Sequence, residues 1–264
     1  MLGETTYYRP QAMYCRRRAA AGDFGEYVLA EGRYFHDVDH GLREVRAHRR
    51  ASRAGREWLA RSKAYSDRGV YGGPMHYPTH STSGPICVMR AHAVKVSAWG
   101  LPPAPDDDYF GEQPFCDETA LFRMSNGSTM RICEYRRIGH TGYEGFNIYG
   151  TDGCFYAGPR ETDCWWVDKN APTPVTVEEM RDPLPADVAD ACRDPTTGEI
   201  DYGGHGGSHA CLVHEFVSAV AEDRVPAVNV WEAARYMAAG VMAHKSCLRD
   251  GETLDVPDWG DAPT

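Results

Sequence analysis

Residues 118–137 read ETALFRMSNGSTMRICEYRR, two runs of strand-forming residues around Asn126-Gly127. Asn-Gly is a preferred centre for a two-residue turn whose twist matches the flanking strands, so this stretch predicts an antiparallel hairpin. A second hairpin is centred on Asp152-Gly153, between residues 146–150 and 154–157. Consecutive hairpins imply a sheet of several strands. Working towards the N-terminus, residues 88–99 alternate well enough for a strand, residues 27–35 (YVLAEGRYF) supply another, and residues 4–8 (ETTYY) read as a short one. That last strand would present an unpaired, adhesive edge.

Helix signals frame the sheet. Pro10 suits a first helical turn and Gly22 a stop, giving a helix over residues 10–21. Residues 75–87 should hold another. Towards the C-terminus, Ser208 is placed to cap a helix carrying Leu212, Val213, Phe216, Val217 and Val220 on one face. A second helix runs from about Asn229 to Arg249, stopped by Gly251, and residues 254–257 could add an edge strand. Residues 102–114 and 168–207, rich in Pro and Asp, read as connections. The predicted class is α+β, a large, mostly antiparallel open sheet with helices packed on one face.

The 264 residues are 42% hydrophobic and 25% charged, which excludes a wholly disordered chain. A net charge of −10 argues against nucleic acid as the main partner. No apolar run approaches the roughly 18–20 residues of a membrane span, and no signal segment opens the chain, so a soluble, cytoplasmic protein is expected. Nine cysteines with no C-x-x-C pair read as reduced thiols. Charge is uneven: residues 1–70 hold 14 Lys+Arg against 9 Asp+Glu. Within them, residues 41–63 form an Arg-rich, mainly solvated segment.

Histidine marks the candidate chemistry. In GGPMHYPTH, residues 72–80, His76 and His80 stand four apart, which on a helix puts both imidazoles on one face. An imidazole titrating near neutrality could exchange a proton with a substrate hydroxyl; equally, both rings could only be hydrogen-bonding their neighbours. In HDVDH, residues 36–40, two histidines and two carboxylates at a strand end could meet substrate or a divalent metal, or simply form a polar loop. No metal is assigned. GGHGGS, residues 203–208, precedes a helix and could hold an anion, but it follows no strand and is not a dinucleotide fingerprint.

Taken together, residues 3–37 (GETTYYRPQAMYCRRRAAAGDFGEYVLAEGRYFHD), residues 72–84 (GGPMHYPTHSTSG), residues 144–158 (EGFNIYGTDGCFYAG) and the C-terminal stretch from GSHACLVHEF to DGETLDVP resemble the Gfo/Idh/MocA oxidoreductases. The resemblance implies an NAD- or NADP-dependent enzyme acting on a sugar or polyol. It assigns acid/base work to His80, with His76, where the family typically has Asp, as an orienting or proton-sharing neighbour. Tyr77, His36 and Asp37 become candidate contacts for substrate hydroxyls. Residues 1–24 would be the last strand and linking helix of a nucleotide-binding domain, and residues 25–264 the C-terminal domain.

The departures from the family pattern matter as much. The Gly-rich phosphate turn is missing, and none of the four lysines (Lys63, Lys95, Lys169, Lys245) precedes a proline, so the Glu-Lys-Pro motif is missing too. The chain alone is therefore not expected to bind the cofactor or to be a competent dehydrogenase. A separate nucleotide-binding chain could supply the remainder, and a homo-oligomer through the open sheet face is implied. Two other classes remain open: a non-redox carbohydrate lyase or hydrolase using His76 and His80, and a non-catalytic binding or oligomerisation module.

Overall fold

The structure is a computed structural model that describes residues 1–68, 73–111 and 113–263. Gly72, half of the expected Gly-Gly turn, lies outside the described residues.

Nine strands form one sheet, in the order β8-β7-β6-β5-β1-β4-β3-β2-β9. These are β1 (Tyr27–Phe35), β2 (Ala93–Leu101), β3 (Asp117–Met124), β4 (Thr129–Tyr135), β5 (Tyr143–Gly150), β6 (Gly153–Ala157), β7 (Cys164–Asp168), β8 (Pro172–Val175) and β9 (Leu254–Asp255). Only the β1–β4 pair is parallel; all other neighbours are antiparallel. Both predicted hairpins are present, as β3–β4 and β5–β6, but their turns differ from the expected ones. Residues 125–127 form a three-residue loop closed by the Met124 amide on the Ser128 carbonyl, with Gly127 alone at a positive φ (86°). The second hairpin turns at Thr151 and Asp152, with Gly153 already in β6.

The helices are α1 (Pro10–Ala21), α2 (Leu42–Ala51), α3 (Arg53–Ser66), α4 (Thr79–Met89), short turns α5 (Val177–Met180), α6 (Ala186–Ala191) and α7 (Gly204–Gly207), then α8 (His209–Ala221) and α9 (Val230–Cys247). Among them α1, α4 and α9 cover one sheet face. Ala120, Phe122 and Met124 of β3 alternate inward against this layer, while Leu121 and Arg123 point out. The predicted α+β class, an open sheet with helices on one face, is the observed one. Residues 1–24 pack into the same core: Tyr14 lies 6.0 Å from Phe155 and 6.3 Å from Trp166, ring to ring.

Four expectations are corrected. Residues 4–8 are not a strand; Thr6–Tyr8 form a single 3-10 turn, with Glu4 Oε1 accepting from the Thr6 amide at 2.8 Å, so no adhesive edge exists there. The connection 168–207 contains β8 and short helices, and β7 runs into its start at Asp168. Ser208 occupies the N-cap position of α8, but its hydroxyl makes no capping bond. The apolar face of α8 does not pack on the sheet, since Val213, Phe216, Val217 and Val220 are all more than half exposed.

Gly32 explains how α4 can lie so close to β1. A Cβ at Gly32 would fall 1.8 Å from the Ser81 carbonyl oxygen, so only glycine permits this approach. That contact sets the height of α4, and with it His80, over the sheet.

Candidate active site

His80 sits in the first turn of α4, above the ends of β1 and β5. Its Nδ1–H donates to Glu4 Oε1 at 3.0 Å and lies 3.1 Å from Glu144 Oε1. Glu144, at the start of β5, is held from several sides: Arg9 reaches its Oε2 at 2.6 Å, and the Thr6 hydroxyl donates to its Oε1 at 2.5 Å. Glu161 in turn accepts the Glu144 amide at 2.9 Å. The 3-10 turn at Thr6–Tyr8 thus delivers Glu4, Thr6 and, just beyond it, Arg9 to one imidazole.

Burial alone would lower the His80 pKa, but hydrogen bonds and charge from Glu144 and Glu4 outweigh it and push it up to about 11. Burial would likewise raise both glutamates, yet their bonds to His80 hold each carboxyl below its ordinary range. His80 is therefore an imidazolium at neutral pH, its Nδ1 held between two carboxylates.

His76 behaves oppositely. Pro78 precedes α4 and interrupts the helical phase, so His76 lies in a separate 3-10 turn, Pro74–His76. The expectation of two imidazoles on one helix face is corrected by this break. The His76 ring packs edge-on against His244 at 4.6 Å, and burial, then the neighbouring His244 and Lys245 charges, push its pKa down to about 4. His244 in turn bonds Glu118 Oε1 at 2.6 Å. No hydrogen bond or ring contact joins His76 to His80 among the described residues.

Beside His80 lies a cleft of about 670 Å³ between the sheet end and α2–α3. Tyr34 and Tyr77 line it, and their rings stand 5.2 and 4.9 Å from the His80 ring. Tyr77 and His36 thus reach the cleft, and His36 Nδ1 is bonded to the Tyr34 hydroxyl at 3.0 Å. Asp37 is buried in its turn, where Oδ1 accepts from the Asp39 amide at 2.7 Å.

Sequence reading missed several members of this group. Glu4 was hidden in an apparent strand, and Glu144 in a stretch quoted only as a hairpin. Beneath His80 lies Glu134, fully buried, which burial pushes up to about 8 against the pull of Arg136 at 3.0 Å. The Gly-rich turn at 203–208 supplies a ring instead of an anion cradle: His205, at φ 51°, lies parallel to His80 at 6.3 Å. The Gly204 amide is already spent on His209 Nδ1 at 3.2 Å.

Glu4, His80 and Glu144 are also the one group among the described residues whose ligand atoms, within 4.8 Å of one another, could hold a metal ion. His80 would first have to give up its Nδ1 proton, and the Arg9 cation on Glu144 opposes a second positive charge there. Among the described residues no Gly-rich turn links a strand to a helix.

No protein-family model matches the sequence, and no curated protein matches it. Solved structures do. Levoglucosan dehydrogenase in complex with NADH and L-sorbose superposes with a TM-score of 0.70 at 17% identity, covering 98% of this chain and 66% of that chain. An oxidoreductase domain protein from Kribbella flavida gives 0.67 at 13%, covering 97% and 65%. The aldose-aldose oxidoreductase from Caulobacter crescentus complexed with glycerol gives 0.65 at 12%, covering 97% and 63%. This chain spans just under two thirds of the length of each. Among the described residues no helix is long and apolar enough to cross a membrane. What the nine-stranded sheet and its helical layer make up is the fold that these oxidoreductase structures share, over the part of it that this chain spans.

Proposed function

We propose that this chain is the substrate-binding and proton-donating half of an NAD(P)-dependent oxidoreductase acting on a sugar or polyol, its residues 25–264 corresponding to the C-terminal domain of such enzymes. The observation that carries the reading is the doubly carboxylate-held His80 packed against Tyr34 and Tyr77, two rings that line the cleft.

The cofactor would supply hydride, and this chain does not hold it. What its own residues do is proton chemistry. Glu4 and Glu144 fix the Nδ1 proton, so Nε2–H is the group available to a ligand oxygen. An imidazolium with a pKa of about 11 is a poor base at neutral pH but a strong hydrogen-bond donor. It suits a carbonyl oxygen that gains negative charge as it is reduced. Tyr77 and His36 are placed to orient the sugar hydroxyls. His76, neutral and packed on His244, is not a proton partner of His80.

The test is binding of sugars and polyols to the full chain by calorimetry. His80→Asn is expected to weaken a bound polyol at least tenfold, the effect of removing a charged donor, while NADH binds the chain negligibly. Tight NADH binding, or a polyol affinity indifferent to His80, would overturn the reading. The metal-capable group favours one rival, a metal-assisted lyase or hydrolase; glycoside turnover that a chelator abolishes would establish it.

A further inference from the structure

The arginines of α2 differ in what neutralises them. Arg43 is neutralised: its Nη1 and Nη2 donate to the two Asp107 oxygens at 2.8 Å each, and Asp39 bonds its Nε. Arg46 and Arg50 follow Arg43 at i+3 and i+7 along the same side of α2; with Arg49 they line the cleft, and none of the three has a carboxylate within 4.0 Å among the described residues. Arg136 lines it from the sheet side. No Asp or Glu lines it at all among the described residues.

Like charges gathered in a half-enclosed space cost energy unless something negative joins them. Here the deficit is visible at single atoms: Nε of Arg46 and of Arg50 are buried without a hydrogen-bond partner. The Arg46 guanidinium is braced 4.4 Å over the Tyr109 ring, which orients the fork while Nε stays without a partner among the described residues. Buried donors of this kind ordinarily have a partner, and none of the described residues supplies one here. Planar guanidinium forks match carboxylate and phosphate oxygens in pairs, which lysines do not. Trp58 on α3 and Tyr77 add flat apolar walls suited to the C–H face of a sugar ring.

We infer that the substrate of this site is an anionic carbohydrate, a sugar bearing a carboxylate or a phosphate, whose oxyanion is held by Arg49, Arg50 and Arg46 while its reacting carbon faces His80. This rests on the sugar-binding reading above and sharpens it to a charge class. It also assigns a purpose to part of the Arg-rich segment 41–63: α2 forms the cationic wall of the cleft, and α3 adds Trp58.

The experiment titrates the full chain with galacturonate, glucose 6-phosphate, neutral galactose and glucose, and inorganic phosphate. One or both anionic sugars should bind at least tenfold more tightly than the neutral parent. The two anionic arms show whether carboxylate or phosphate is preferred. In Arg49→Ala/Arg50→Ala the anionic-to-neutral ratio should fall towards one, with circular dichroism unchanged because both side chains lie on an external helix. Equal affinity for neutral and anionic sugars overturns the inference and leaves the sugar reading standing. Phosphate alone binding as well as the sugar phosphate overturns both, as does the absence of any binding.

Discussion

At the scale of single residues, two histidines four apart in sequence are driven in opposite directions by what surrounds them. Their types were legible in the sequence; their protonation was not, because it depends on Glu4 and Glu144, 76 and 64 positions away from His80. The stability consequence has a definite sign. His80 has a pKa near 6.5 when unfolded and about 11 when folded, so its contribution is fully present below pH 6.5 and is lost as pH rises towards 11. Glu134, raised from 4.5 to about 8, also disfavours the folded state as pH climbs through that range. The melting temperature should therefore decline from pH 7 to pH 10.5, and His80→Gln should flatten the decline above pH 8. Imidazole nitrogen shifts of labelled protein should show His80 still protonated at pH 8; an ordinary titration near pH 6.5 would refute the clamp.

Among elements, the hairpins were legible from alternating strand residues around turn formers, but the turn geometry was not: the first loop is three residues long and the second turns one residue earlier than Asp152-Gly153. Those that failed did so for identifiable reasons. The β8 strand contains Pro172 and Pro174, which cannot donate to a ladder, and it survives because it lies at the sheet edge. Residues 4–8 have strand-forming side chains, but Glu4 caps a tight turn there and the buried His80 group claims their polar atoms. The packing of α4 on β1 was invisible in sequence, since it turns on one missing Cβ. Gly32→Ala should lift α4 from the sheet, costing about 1–3 kcal/mol or more as overpacking does. Because His80 precedes Ser81 directly, the same change should pull its titration back towards 6.5. Gly127→Ala, strained by its φ of 86° but with nothing within 4 Å, should cost about 1 kcal/mol and leave His80 untouched. Equal effects of the two variants on the imidazole would show that the α4–β1 contact does not set the site.

For the whole molecule, the sheet is covered on one face only. On the other, Trp99, Leu101 and Leu121 are each more than half exposed and lie on neighbouring strands β2 and β3. The apolar face of α8 is exposed as well, although its spacing in sequence promised a packed helix. Periodicity shows that a face is apolar and says nothing about what covers it, which is why this part of the reading went astray. Single exposed apolar residues are ordinary; three together on one sheet face are what pairing with a second copy would cover. A second copy meeting through the open face would bury Trp99 and Leu121 together and satisfy two faces at once. Light scattering at micromolar concentration should then give at least a dimer mass, and Leu121→Asp should shift it towards the monomer without lowering the helix signal. Phe216→Asp on α8, away from that face, should leave the mass unchanged. A monomeric wild-type chain would refute pairing through the sheet, and a monomer produced only by Phe216→Asp would move the interface to α8.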